Sequence, residues 1–155
     1  MKKSDNNVVS LFEQTNQGVQ KAVLTDSMKM KRGGSLSNPI VAYETWGKLS
    51  KQKDNVVVIL TGLSASSHVA SHSNNSKPGW WEGIVGPDKA IDTNKFYVIC
   101  VNSLGSCFGS TGPASINQIT GEPFRLTFPE LTIDDMATAT KLLLDKLDIK
   151  QINTL

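Results

Sequence analysis

The eight residues NVVVILTG, from Asn55 to Gly62, decide how this chain folds. A continuous apolar run closed by turn-forming residues is typical of a β-strand that is buried on both faces. A second run of this kind, KFYVICVN, extends from Lys95 to Asn102 and also ends in a glycine-containing turn. Two buried strands this far apart in sequence predict parallel neighbours in an α/β sheet whose faces are covered by helices.

The segments before Asn55 predict short strands at one edge of that sheet. Pro39–Trp46 contains β-branched and aromatic residues, and Ala22–Leu24 and Ser27–Lys31 are shorter candidate strands that end at the turn-prone Arg32–Gly34. We expect them to pair antiparallel. The polar residues 1–20 lack regular periodicity, which predicts a flexible N-terminal tail followed by one domain over residues 21–155.

Thr132–Leu147 is the clearest predicted helix. Thr132 and Asp135 have capping-box spacing, and acidic residues in the first turn favour the helix dipole. An apolar stripe wide enough to pack on a sheet is predicted from seven residues: Ile133, Met136, Ala137, Thr140, Leu143, Leu144 and Leu147. The final residues, from Ile149 to Leu155, alternate like the opening of another strand.

The composition excludes several functional classes. The 155 residues contain 16 Lys and Arg against 14 Asp and Glu, a net charge of +2 that is too balanced for nucleic-acid or membrane binding by charge alone. The longest aliphatic run is far shorter than the roughly 20 apolar residues of a membrane helix, and no signal peptide is evident. Two cysteines are too few for a disulfide framework, so we expect a cytoplasmic protein.

The loops after the two buried strands carry the candidate chemistry. Gly62–Ser66 and Gly105–Gly109 have approximately the spacing of a nucleophile elbow, with Ser64 or Cys107 as the attacking residue. Neither segment continues as a helix, which favours ordered loops. His68 and His72 lie four residues apart, but no Glu accompanies them in sequence, so we expect no metal site.

Several short motifs, in order along the chain, together resemble one known family. They are RGG at 32–34, YETWG at 43–47, LTG at 60–62, GWW at 79–81, GP at 86–87, IDT at 91–93, NSLG at 102–105, GSTGP at 109–113, FP at 128–129 and TIDD at 132–135. The chain from about residue 30 onward resembles the homoserine O-acetyltransferase family, which includes serine O-succinyltransferases.

The resemblance implies an α/β-hydrolase fold and Ser-His-Asp acyl transfer. The acyl group of acetyl-CoA or succinyl-CoA passes through an enzyme serine to the side-chain hydroxyl of L-homoserine or L-serine, for methionine or cysteine synthesis. It also implies an acyl-CoA co-substrate with no bound cofactor, a small amino-acid substrate, homodimers in complete members, and neither nucleic-acid nor membrane partners.

Two groups of site residues follow from this assignment. If NVVVIL is the third strand of the fold, backbone N–H groups at Leu60 and Thr61 are candidates for the oxyanion hole. The following residues, Leu63, Ser64, Ala65 and Ser66, differ from the shorter acid-containing loop of homoserine acetylating members and look closer to the branch that uses L-serine and succinyl-CoA. We expect them to set substrate choice; an ordinary variable surface loop is the alternative.

The family's nucleophile elbow follows a strand that here begins at Ile152, so the fold is expected to be truncated before the elbow. The catalytic Ser, Asp and His are then absent, and the chain alone is expected to be inactive, with exposed apolar surface and a tendency to aggregate. Two alternatives remain: a non-catalytic fragment or interaction module, and a hydrolase that uses Cys107.

Overall fold

A four-stranded mixed sheet forms the centre of the protein in a computed structural model that describes residues 18–62 and 64–155. The elements are β1 (Gln20–Val23), β2 (Ser27–Lys29), β3 (Ser35–Ser37), β4 (Ile40–Trp46), β5 (Val56–Leu60), β6 (Val85–Gly86), β7 (Ile91–Asp92), β8 (Tyr97–Val101), a 3-10 turn (Arg125–Thr127) and the helix α1 (Ile133–Lys146). The sheet order is β1-β4-β8-β5.

The two buried strands pair as the sequence predicts. β5 and β8 are parallel neighbours, with Val56 opposite Tyr97 and Leu60 opposite Val101. Beyond β5, the C-terminal residues add a parallel contact, since the Val58 N–H donates to the Thr154 carbonyl at 3.0 Å. The strand expected to open near Ile149–Leu155 is therefore present as a single bridge at this edge.

The antiparallel edge is confirmed in part. β1 and β4 pair antiparallel, and β1 is an edge strand of the sheet. The expectation that β2 joins the same sheet is wrong, because β2 instead pairs with β3 in a separate two-stranded sheet closed by the turn at Gly33 and Gly34. Only the backbone pairing of the alternating segment Ser35–Ser37 reveals β3. The described structure starts at Gly18 and β1 at Gln20, while residues 1–17 of the expected tail lie outside the described residues.

The two faces of β5 support two separate cores. Val56 and Val58 point to the face covered by α1, and Val57 and Ile59 point to the opposite face, as the two-residue period of a strand requires. The predicted burial of this strand on both faces is confirmed. The second face, however, is covered by the irregular segment 64–85 and not by a helix.

Helix α1 begins as predicted, and the predicted apolar stripe is confirmed only in its C-terminal half. Thr132 and Asp135 form both hydrogen bonds of a capping box. Leu143, Leu144 and Leu147 of the expected stripe pack against the core. In the first half of the helix, Asp135 and Ala139 are buried instead, and Ile133 of the stripe is 79% exposed. Asp135 is turned inward because its carboxylate also accepts a hydrogen bond from the Lys31 backbone N–H at 3.0 Å. In the described part of the chain, no helix has the length and apolar character to cross a bilayer.

Candidate functional site

An open cleft of about 620 Å³ lies beyond the carboxyl end of β8, where α/β sheets commonly bind ligands. Its walls come from β1, from β4, from the loop after β5 and from the loop after β8. The lining residues are Val19, Lys21, Glu44, Ser66, Ser67, His68, Asn75, Lys77, Pro78, Asn102, Ser106, Cys107, Phe108, Gly109, Ser110, Gly112, Ala114 and Ser115.

A buried carboxylate lies at the base of this cleft. Glu44 alternates with Tyr43 along β4 and shares its face of the sheet with Trp46, and only 1% of Glu44 is exposed. One carboxylate oxygen accepts from the Ser67 hydroxyl at 3.1 Å, and the other faces His68 and His72 at 2.9 Å each. Because a buried charge needs partners, these contacts explain how β4 tolerates a glutamate.

Each imidazole ring has a polar partner at both of its nitrogens. His68 Nε2 lies 2.8 Å from the Lys77 carbonyl oxygen, and its Nδ1 lies 2.9 Å from the Glu44 side chain and 3.4 Å from the Asn75 amide nitrogen. His72 Nδ1 accepts from the Asn74 N–H at 3.2 Å, which leaves the ring proton on Nε2, directed at Glu44. The arrangement is a hydrogen-bonded cluster in which His68 and His72 meet the same oxygen of the buried Glu44 side chain.

Glu44 lies beside both histidines in the folded protein, which bears on the expectation that no metal binds there. The statement that no Glu accompanies the two histidines is wrong in space, because ligand atoms of Glu44, His68 and His72 lie within 4.8 Å of one another. The same atoms are hydrogen-bonded to one another in the structure. That no metal binds here stays a prediction.

A second part of the network ties the two candidate loops together. The Asn102 side chain accepts from the Ser67 N–H at 2.7 Å and donates to the Ser67 hydroxyl at 3.0 Å. The same amide donates to the Phe108 carbonyl at 2.8 Å. Asn102 follows β8 directly, and Ser67 lies in the loop after β5, so one buried amide fixes both loops against the end of the sheet.

The loop after β5 is also held by hydrogen bonds with Trp80 and Glu82. The Trp80 indole donates to the Ser66 carbonyl at 2.8 Å, and Glu82 accepts from the Gly79 N–H at 3.0 Å and the Ser71 N–H at 2.7 Å. A side chain at Gly79 would meet the Val69 backbone at 2.1 Å, so this close approach requires glycine.

The predicted site residues are dispersed. Leu60 and Thr61 end β5 and are not part of the cleft wall, although Ser66 is. Ser64 is exposed and Ala65 is partly buried, while Leu63 lies outside the described residues. The Thr61 N–H donates to no acceptor in the described part of the chain, and its hydroxyl lies 3.3 Å from the Val101 carbonyl.

The two cysteines differ in environment. Cys100 is buried in β8, and burial raises the pKa of its thiol, as expected for an inert core residue. Cys107 is exposed at the rim of the cleft. His68 lines the same cleft, and its two ring nitrogens contact the Glu44 side chain and the Lys77 carbonyl oxygen.

Glu44, Ser67 and Asn102 are the site residues that sequence reasoning missed. Glu44 offered a usable signal, since a charged residue in the apolar segment PIVAYETW needs a buried partner. Nothing in the local pattern of Ser67 or Asn102 identifies the other as its partner, 35 residues away.

The sequence and the fold have counterparts among known proteins. The serine O-succinyltransferase of Xanthomonas campestris pv. campestris is 53% identical over 135 residues, which are 87% of this chain and 36% of that protein. Over the matched residues, this chain belongs to the homoserine O-acetyltransferase family. No family model matches the chain.

Two solved structures show the fold of this family member to be α/β-hydrolase. A homoserine O-acetyltransferase from Bacillus anthracis is 32% identical, with a TM-score of 0.77 over 86% of this chain and 38% of that one. Esterase E22 is 39% identical, with a TM-score of 0.76 over 86% of this chain and 39% of that one. The chain thus spans little more than a third of the length of the relatives it matches.

Proposed function

We propose that the protein transfers an acyl group from an acyl-CoA thioester to the side-chain hydroxyl of an amino acid, with succinyl-CoA and L-serine as substrates. The observation that carries this proposal is the 53% identity to a serine O-succinyltransferase across most of the chain. The segment Leu63 to Ser66, which we propose sets substrate choice, lies inside that matched region.

In the proposed reaction, the end of β5 supplies part of the oxyanion hole. A backbone N–H is fixed before charge develops on the carbonyl oxygen, so it stabilises the tetrahedral intermediate without reorganisation. The Thr61 N–H, which donates to none of the described residues, supports this role, since a donor already satisfied within the protein could not serve. The same donors act in both halves of a ping-pong transfer, when the enzyme serine is acylated and when the amino-acid hydroxyl removes the acyl group.

The nucleophile is proposed to come from protein sequence beyond these residues. No Gly-x-Ser-x-Gly run occurs among the 155 residues, and the matches cover about a third of the relatives. In this proposal, these residues contribute oxyanion-hole donors at the end of β5 and the ordered loops around them. We further propose a cytoplasmic homodimer, which size-exclusion chromatography with light scattering would test directly.

The deciding experiment measures release of free CoA thiol by the complete protein. Succinyl-CoA and acetyl-CoA are each offered with L-serine and with L-homoserine, and the acylated amino acid is identified by mass spectrometry. We expect the fastest turnover with succinyl-CoA and L-serine. A preference for acetyl-CoA and L-homoserine would overturn the substrate assignment while leaving the reaction class intact.

Hydrolysis is the second candidate, because esterase E22 is 39% identical. The same fold and oxyanion donors serve whether water or an amino-acid hydroxyl attacks the acyl-enzyme. The assay separates the two reactions: thioester cleavage that is unchanged by L-serine and yields free succinate identifies a hydrolase.

A further inference from the structure

We propose that the cleft beyond β8 is an anion-binding site for a carboxylate or phosphate group, recognised by Lys21, Lys77 and the backbone of the loop Ser106–Ser110. The anion is the charged end of the acyl-CoA donor. Only this identity of the ligand rests on the proposed function. The donor offers two such groups: the free carboxylate of a succinyl chain and the phosphates of the CoA nucleotide.

The charge that the cleft presents to solvent is positive. Lys21 and Lys77 both line it, and neither forms an ion pair with an acidic side chain in the described part of the protein. Glu44 is the one acidic residue among the described cleft residues. Its carboxylate is 1% exposed and is engaged by His68, His72 and Ser67, so its charge is compensated internally.

The loop after β8 adds hydrogen-bond donors that have no acceptor. The backbone N–H groups of Cys107, Phe108 and Gly109 donate to no described residue. The Ser106 hydroxyl is buried and has no hydrogen-bond partner among the described residues. Successive free N–H groups in a loop with left-handed residues form the concave sites that bind anionic oxygens, and Gly109 has a φ of +99°.

Lysine and loop donors meet at Gly109. The Cε atom of Lys21 lies 3.5 Å from the position that a Cβ of Gly109 would occupy, and the Cβ of Ala42 lies 3.2 Å from it. The Lys21 side chain therefore passes directly over the loop, where its ammonium group and the free N–H groups can reach one anion. A charge-assisted hydrogen bond to such an anion is among the stronger polar contacts in proteins.

The test is a titration of the ¹⁵N-labelled chain with succinate at constant ionic strength, followed by amide chemical shifts. We expect saturable shifts at Cys107 to Ser110, and no saturation with the neutral analogue succinamide. Lys21→Met and Lys77→Met should each weaken binding about tenfold, the loss typical of one charge-assisted contact. Lys51→Met is the matched control, because Lys51 is an exposed lysine that does not line the cleft.

The proposal is overturned if the shifts do not saturate or if the Lys21 and Lys77 variants bind like the control. Spectral dispersion reports whether each variant is folded, and Lys21→Gln provides a second test at that position. Inorganic phosphate and adenosine 3′,5′-bisphosphate form the other arms. Tighter binding of succinate assigns the site to the acyl carboxylate, and tighter binding of the bisphosphate assigns it to the nucleotide.

The two proposals fail separately. Saturable anion binding without any acyl transfer by the complete protein removes the proposed function and leaves the site. Acyl transfer to L-serine combined with no saturable binding at Cys107 to Ser110 removes the site and leaves the function.

Discussion

The two faces of the central sheet are covered in different ways. On one face, α1 packs Ala139 and Leu143 against Val56, Val58 and other aliphatic side chains. On the other, an irregular segment packs Val69 and Val85 over the strands and is held by the buried network around Glu44. A helix covers apolar surface because its apolar side chains recur at a regular spacing in the local sequence. A loop has no such spacing, so its backbone must be fixed by specific long-range polar contacts.

The largest expected effect is on the network that holds the loop face. Glu44→Gln removes the carboxylate that contacts Ser67, His68 and His72, which should destabilise the fold by about 4 kcal/mol because several hydrogen bonds of one buried group are weakened together. Urea denaturation followed by circular dichroism measures the loss. Glu122→Gln, at an exposed position, is the control and should change stability by less than about 0.5 kcal/mol. Equal effects of the two substitutions would remove the distinction between the faces.

On the helix face, truncation of the core should cost slightly less. Leu143 is fully buried, so Leu143→Ala should lower the free energy of unfolding by about 3 kcal/mol. Ile133→Ala tests the corrected position of Ile133, since this residue is 79% exposed and its truncation should cost well under 1 kcal/mol. A large loss for Ile133→Ala in the same urea series would restore the apolar stripe expected from the sequence.

The capping box at the start of α1 should contribute less to the free energy of unfolding than these core contacts. Thr132→Ala removes the hydroxyl that accepts from the Asp135 N–H and should cost about 1 kcal/mol. Thr138→Ala, at an exposed position inside α1, serves as the control for the change in side chain. Hydrogen exchange of the first-turn amides is the sharper measurement, because fraying should be confined to that turn.

The smallest expected effect is on how the stability of the fold depends on pH, through Glu82 in the loop segment. Hydrogen bonds from the Gly79 N–H, the Ser71 N–H and the Ser71 hydroxyl, with Lys89 nearby, lower the pKa of Glu82 from 4.5 to about 2. The folded protein then binds fewer protons than the unfolded chain, so this stabilisation is complete above about pH 4.5 and is lost as the pH falls toward 2.

Glu82→Gln tests this directly. Urea midpoints between pH 6 and pH 2 should fall less steeply for the variant than for the native sequence, and the effect is modest because Glu82 is partly exposed. Glu130→Gln, which removes a surface carboxylate, should preserve the native slope. Parallel slopes for all three proteins would contradict the assigned role of Glu82.

The comparison also bears on the expected aggregation of the chain. The loop segment covers the face for which the sequence offers no helix, so less apolar surface is exposed than a missing helix suggests. Ile133, Leu126 and Ile119 remain exposed on the surface. Aggregation at micromolar concentration stays a prediction, and light scattering during a thermal melt measures it.

The secondary-structure elements could be predicted from the sequence to a greater extent than the site. The strands β5 and β8, their parallel pairing, the capped helix and the family could be predicted, because continuous apolar runs, capping spacing and ordered motifs are local signals. The inward position of Asp135 in the first turn of α1 could not, since its carboxylate accepts a hydrogen bond from the Lys31 N–H, 104 residues away. The separate β2–β3 sheet was missed for a different reason, since three-residue strands carry too little periodicity.

The sequence by itself determined which segments form strands and helix, because burial imposes a period that neighbouring residues must follow. Only the tertiary structure decided that Glu44, His68, His72, Ser67 and Asn102 form one network at the end of the sheet. Their contacts join residues from three distant segments, and the free energy of a buried polar group depends on partners that no local pattern specifies.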